Sequence, residues 1–244
     1  MSLQLKKLSK IYDNSKNTTL NEIDLEISDG EFVCLVGASG CGKSTLLNLV
    51  AGLIEPSGGE ILLNGEKITG PGSDRTVMFQ EHGLYPWLSV IENVKFPMKL
   101  AKISKDKQEE KALHYLEMVN LLDYKDYPIH QISGGMKQRV ALARALVMDS
   151  NMLLMDEPFS ALDKQTSNRL REELQKIWMK TKKTILFVTH SVEEAVYLAD
   201  RVIVMTPGKE LKIVNINLER PRQVHTQEFV DLRHEILDYI KGEI

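Results

Sequence analysis

The chain has 244 residues, 43% of them hydrophobic, with 31 Lys and Arg against 34 Asp and Glu and a formal net charge of −3. That is enough for one large α/β domain, or for a domain with an inserted subdomain. The near balance of charge, with no dense basic block, argues against a nucleic-acid partner. The segment Met1 to Lys7 lacks the apolar core of a signal peptide, and no apolar run approaches the ~18 residues of a membrane span, so a soluble chain is expected. The two cysteines, Cys34 and Cys41, have no partner elsewhere in the chain, a usage that fits a reducing compartment.

Residues 3–8 and 20–28 alternate apolar and polar, which predicts half-buried antiparallel strands. Asn14 to Thr19 reads as a polar turn between them, and Tyr12, just before it, reads on local pattern as a tyrosine on the sheet surface. Next comes a short apolar run, Phe32 to Val36, then Gly37-Ala38-Ser39-Gly40-Cys41-Gly42-Lys43-Ser44-Thr45, then an apolar-periodic segment from Leu46. Strand, glycine loop and helix in that order are the setting of a phosphate-binding loop. Its glycines let successive N–H groups point into one concavity, the helix start adds a positive dipole end, and Lys43 adds a full charge. Ser44 supplies a hydroxyl for magnesium. The pattern points to a nucleoside triphosphate site. Cys41, beside Lys43 and a helix start, is expected to be a reactive thiol, and Cys34 an inert one.

Gly59 to Gly65 predicts a further strand ending in an Asn64-Gly65 hairpin turn. Three more apolar runs each stop at a polar residue: Thr76 to Phe79 at Gln80, Met152 to Met155 at Asp156-Glu157, and Thr184 to Thr189 at His190. Short continuous apolar runs separated by helical segments are the mark of buried parallel strands, and ligands bind beyond the carboxyl ends of such strands. Four strands with polar ends predict one convergent site.

Residues 81–150 break the alternation. His82 to Ser89 is a loop around Tyr85-Pro86-Trp87, and Trp87 by itself reads as an anchor of the helical subdomain to the core. Ala112, Leu113, Leu116 and Val119 recur at helical spacing, as do Leu142, Ala145 and Leu146. This predicts a helical subdomain over roughly 84–150. Ser133-Gly134-Gly135 precedes a helix expected from Met136 to Val147, which is either a second anion-binding helix start or a plainly capped helix. Ser160 to Asp163 precedes an amphipathic helix with Leu170, Leu174, Ile177 and Trp178. A helix over Val192 to Ala199 and a strand over Val202 to Met205 follow. Phe229, Leu232, Ile236 and Ile240 lie at helical spacing in a tail over roughly 217–244.

In order and rough spacing, the glycine loop, Gln80, Ile132 to Met136, Met152 to Glu157, Ser160 to Asp163 and His190 resemble the ATP-binding-cassette ATPases across nearly the whole chain. The resemblance implies a single domain with a RecA-like P-loop NTPase core, an antiparallel β subdomain and an inserted helical subdomain, acting as the ATPase of a transporter with ATP and Mg2+. It also implies residue roles. Tyr12 would stack on adenine, against its local reading. The loop from Gly37 to Thr45 would wrap the phosphates, Lys43 would hold the β- and γ-phosphates, and Ser44 the magnesium. Gln80 would touch the magnesium and the attacking water, Asp156 would orient the metal, Glu157 would be the general base, and His190 would contact the γ-phosphate. Ser133, Gly134 and Gly135 would meet the nucleotide of a second copy, with Asp163 at the contact between copies.

The signature commonly begins with Leu and ends with Gln, where this chain has Ile132 and Met136. Met136 is similar to a variant of the nitrate, sulfonate and taurine importers, as are Leu84 to Trp87, the run Glu157 to Asp163, and Arg220-Pro221-Arg222 with Phe229, Leu232, Arg233, Glu235 and Ile236. The expectation is an importer subunit for a small oxyanion or sulfonate. It would lie at the inner face of the cell membrane on integral permease subunits, with Tyr85 to Leu88 lining a cleft for a short permease helix as the second reading of Trp87, and be served indirectly by an extracytoplasmic binding protein. The rivals are an exporter or lipoprotein-release ATPase, and a soluble cassette ATPase of DNA repair or translation.

Overall fold

The computed structural model describes residues 2–12, 18–79, 83–160, 162–207 and 210–242. The elements run β1 (Leu3–Ile11), β2 (Thr18–Ile27), β3 (Phe32–Gly37), α1 (Lys43–Ala51), β4 (Gly58–Leu63), β5 (Glu66–Lys67) and β6 (Arg75–Met78). Then follow α2 (Val90–Leu100), α3 (Lys105–Met118), α4 (Gly134–Leu146), β7 (Met152–Asp156), α5 (Lys164–Thr181) and β8 (Thr184–Val188). The chain closes with α6 (Val192–Leu198), β9 (Arg201–Met205), β10 (Lys212–Asn215) and α7 (Gln227–Lys241). Two compact units arise by contact, one of Met1–Gly72, Leu154–Glu157 and Lys182–Ile244, the other of Ser73–Leu153 and Pro158–Thr181.

In the first unit, β2-β1-β4-β5 form an antiparallel sheet. The predicted alternation is present: Leu3, Leu5, Leu8, Leu20, Ile23, Leu25 and Ile27 are buried on one face. Thr18 and Thr19 belong to β2 and not to the turn, whose remaining residues up to 17 lie outside the described residues. Asn64 and Gly65 both take positive φ (55° and 82°), which closes β4 onto β5 with the twist a two-residue hairpin needs.

The second sheet of this unit runs β10-β9-β3-β8-β7, with β3 parallel to both β8 and β9. Every residue of β3 and of β8 is buried, as continuous apolar runs require when both faces are covered. Phe32 and Phe187 are wholly buried with ring centroids 5.9 Å apart, and each such side chain contributes roughly 1.5–3 kcal/mol on burial. The antiparallel edge strand β10 carries no pattern that predicted it, since only Val214 of its four residues is buried. Behind the sheet, Arg222 donates to the carbonyls of Leu218, Val196, Ala199 and Ile216. Burial lowers its guanidinium to about 10. Arg220 pairs with Asp200 at 2.6 Å, and Asp200 also accepts the Phe32 N–H. The tail that reads as helical is therefore part clamp and part helix, with α7 burying Phe229 and Ile236.

The second unit holds β6, the start of β7, and helices α2 to α5. The Asp74 carbonyl accepts from the N–H groups of Asn151 and Met152. The strand ending β6 stops at Met78, and Phe79 beyond it is exposed. Helix α2, which periodicity did not reveal, starts with a capping box of Ser89 and Glu92. Helix α4 begins at Gly134, two residues earlier than expected, because Ser133 caps it by accepting the Met136 N–H at 3.2 Å. Leu170, Leu174, Ile177 and Trp178 form the buried stripe of α5, as their spacing predicts.

Candidate nucleotide site

In the first unit the ends of β3, β7 and β8 converge, three of the four strands whose polar ends predict one site. Gly42, at φ 102°, is the N-cap residue of α1 and has no side chain to block the helix amides. A Cβ on Gly37 (φ 151°) would lie 2.1 Å from the Met205 carbonyl oxygen, so the loop can leave β3 only through a glycine. Gly40 (φ 81°) faces open space, which leaves room for a ligand at the crown of the loop.

Lys43 is buried, and its ammonium folds back on the loop, donating to the carbonyls of Gly37 and Ala38 at 2.9 Å each. It also lies 3.8 Å from Cys41 Sγ. Cys41 is itself buried, which opposes the reactivity expected of it, because a reagent has to open the loop first. Cys34 is fully buried, and burial pushes its thiol up, in line with an inert cysteine.

Ser44 Oγ donates to Asp156 Oδ1 at 3.2 Å. Burial raises the Asp156 carboxyl above the usual carboxylate range, with the Glu157 charge adding to this and the Ser44 hydrogen bond and Lys43 opposing it. A serine hydroxyl beside a half-buried carboxylate fits Mg2+, which favours oxygen ligands and takes one or two from protein beside substrate phosphates. Glu157 has φ 44°, rare for a residue with a side chain, and its N–H donates to the Val188 carbonyl at 2.9 Å. That turn brings Glu157 Oε2 to 3.2 Å from His190 Nδ1. Tyr12 is exposed, with its hydroxyl 3.4 Å from Thr45 Oγ1 and Lys10 Nζ 5.2 Å from the ring centre. Gln80 lies outside the described residues.

One network escaped the sequence reading. Thr189 Oγ1 accepts the Ser191 N–H at 3.0 Å and donates to Glu194 at 2.6 Å, which fixes the backbone on both sides of His190. The signal was present as Ser191 three residues before Glu194, but it reads there as an ordinary helix start.

In the second unit, Ser133, Gly134 and Gly135 form the exposed to half-buried first turn of α4. Asp163 caps α5, its Oδ1 accepting the N–H groups of Gln165 (3.1 Å) and Thr166 (3.0 Å). These bonds, with the Thr166 hydroxyl, hold the Asp163 carboxyl below the usual carboxylate range.

A loop of this build, with a serine and two acidic residues at its mouth, defines a P-loop NTPase. Residues 20–160 match the pattern of the ABC transporter family. An uncharacterised ABC transporter ATP-binding protein of Methanocaldococcus jannaschii is 48% identical, over the full chain and 93% of its own length. A nitrate import ATP-binding protein of Synechocystis is 46% identical, over 89% of this chain and 84% of its own. An aliphatic sulfonates import ATP-binding protein of Bacillus cereus is 43% identical, over 97% and 95%. Among solved structures, a dimeric bacterial ABC transporter cassette superposes with a TM-score of 0.78 at 31% identity, over 89% of this chain and all of that one. The chain belongs to the ABC transporter family. It is an ATP-hydrolysing, magnesium-using cassette with the α/β fold of those ATPases. Among the described residues, no helix is long and apolar enough to cross a membrane.

Proposed function

We propose that this chain drives an importer of a small oxyanion or sulfonate, working as two copies that close over two ATP molecules at the inner face of the membrane. The observation that carries the hydrolysis in this reading is the convergence of Ser44, Asp156, Glu157 and His190 beyond the ends of three strands. In this reading residues 1–244 form one ATPase domain, with a helical subdomain over about 84–150 and a helical tail over about 217–244.

The loop from Gly37 to Thr45 binds the phosphates, with Tyr12 on the adenine. The Lys43 ammonium, held on two carbonyls, is the charge offered to the β- and γ-phosphates. Ser44, Asp156 and Gln80 would hold Mg2+, which supplies charge neutralisation at the phosphate oxygens. Glu157 takes a proton from the attacking water as its oxygen bonds to the γ-phosphorus and the bond to the β-phosphate oxygen breaks, giving ADP and phosphate. His190 holds the Glu157 carboxylate and contacts the γ-phosphate. Ser133 and Gly135 reach the γ-phosphate of the other copy's nucleotide, with Gly134 between them in the same turn, and Asp163 meets the other copy.

The surface for the permease is the loop before α2. Asn93, fully buried, donates to the carbonyls of Tyr85 and Ser89 and accepts the Tyr85 N–H at 2.8 Å. Tyr85 packs on Phe96, with centroids 4.2 Å apart, under the Arg144 guanidinium. On this base Trp87 is 75% exposed, which supports a docking role over a core anchor. The oxyanion class rests on likeness to the nitrate and sulfonate relatives. An extracytoplasmic binding protein delivers the solute.

The test is uptake of labelled nitrate and an alkanesulfonate by cells lacking the gene. Uptake of one of them should vanish, and return with the intact gene but not with Glu157→Gln. Unchanged uptake of every small oxyanion offered, or loss of an efflux activity instead, sinks the importer reading.

A further inference from the structure

Both signature glycines face a segment of their own chain. A Cβ on Gly134 would lie 4.0 Å from Leu162 Cδ2, and a Cβ on Gly135 only 2.6 Å from Thr166 Cγ2. The second distance is far below any real carbon contact, so the Thr166 methyl fills the space that Gly135 leaves empty. The other branch of the same side chain, the Thr166 hydroxyl, hydrogen-bonds the Asp163 carboxylate. That carboxylate also accepts the Thr166 N–H at 3.0 Å. A β-branched side chain has few χ1 states, and any rotation here gives up either the methyl contact or the hydroxyl bond.

We propose that Thr166 is a positioning residue for ATP hydrolysis, joining the Asp163 turn at the head of α5 to the Gly134-Gly135 turn at the head of α4. The inference rests on the proposed roles of Ser133, Gly135 and Asp163 toward a second copy. Each of those turns is short and at least partly exposed. Tied through one rigid side chain, they present to the other copy as a single surface. A shift of the signature toward a γ-phosphate then carries Asp163 with it. Thr166 acts through the two turns it joins, and misplacement by about 1 Å is enough to slow an aligned reaction severely.

The experiment compares Thr166→Ala, Thr166→Val and Thr166→Ser with the intact protein and with Ser133→Ala. It measures steady-state ATP hydrolysis, ATP affinity of the monomer, and the thermal midpoint. Thr166→Ala should lower kcat by about fivefold or more, with monomer ATP affinity and thermal midpoint near those of the intact chain. Thr166→Val keeps the methyl and loses the hydroxyl, and Thr166→Ser does the reverse, so each should fall between. If Thr166→Ala is too unstable to assay, the near-isosteric Thr166→Val carries the test, with a lowered kcat at unchanged midpoint expected. A kcat within about twofold of the intact chain for the variant that carries the test, or a loss that tracks ATP affinity and midpoint in step, overturns the proposal. Ser133→Ala separates the failures. If Ser133→Ala slows hydrolysis and the Thr166 variants do not, this inference alone falls; if Ser133→Ala is also silent, the signature's role falls with it.

Discussion

His190 Nδ1 lies 3.2 Å from Glu157 Oε2, a bond between the residues that follow β7 and β8. It depends on Glu157 holding φ 44°, a left-handed backbone that costs a residue with a side chain roughly 1–2 kcal/mol. Strain of this kind persists where neighbours over-determine it, here through the Glu157 N–H on the Val188 carbonyl.

Glu157→Gln keeps the shape and removes the base. ATP affinity should stay near that of the intact chain while turnover falls by at least ~10²-fold. ATP then persists, and the variant should elute as a dimer in gel filtration with ATP and magnesium. A monomer under saturating ATP is incompatible with two copies sharing the nucleotides.

Asp156 should trade stability for metal binding. Its carboxyl is raised by burial, so its charge is less favourable folded than unfolded. The stability it contributes is present below the ordinary carboxylate range and is lost as pH rises through its raised folded value. At neutral pH without nucleotide, Asp156→Asn should therefore melt at or above the temperature of the intact chain, and the difference should shrink on acidification. Its magnesium-dependent hydrolysis should be lost. A clear fall in midpoint at neutral pH contradicts the sign argued here.

Two glycines of the loop should fail differently. Gly37→Ala drives a Cβ to 2.1 Å from the Met205 carbonyl oxygen, so β3 and β9 have to separate. It should lower the melting temperature by several degrees or prevent folding, as large steric conflicts in a core do. Gly40→Ala meets no atom within 4 Å and bears only a φ of 81°, a cost of about 1 kcal/mol. That variant should fold, with its defect confined to ATP affinity. Calorimetric melting and a nucleotide titration on both variants test the contrast.

Trp87 should matter only in the assembled transporter. Being 75% exposed, it contributes little to the subunit's own stability. Trp87→Ala should leave the melting temperature and basal hydrolysis unchanged, yet weaken association with the permease by roughly 2 kcal/mol and lower transport. Early unfolding with hydrolysis falling in step places Trp87 in internal packing instead.

Much of this site is legible without coordinates because its signals are local. Glycine spacing between a β run and a helix defines the phosphate loop, since positive φ and open helix amides are properties of adjacent residues. Apolar runs that end at Asp156-Glu157 and at His190 point to one sheet edge, because parallel strands align their carboxyl ends. Contacts between distant residues are another matter. Nothing in sequence spacing reveals that Thr166 fills the space beside Gly135, that Arg222 gathers four carbonyls, or that Lys43 rests on its own loop. Local pattern made Trp87 look like a core anchor and Cys41 look reactive; Trp87 is instead exposed and Cys41 buried, and burial belongs to the packed chain. The edge strand β10, with one buried residue in four, exists because β9 offers it a hydrogen-bonding edge. Backbone needs are written residue by residue, whereas exposure and partnership are fixed only when segments far apart in the chain come to lie side by side.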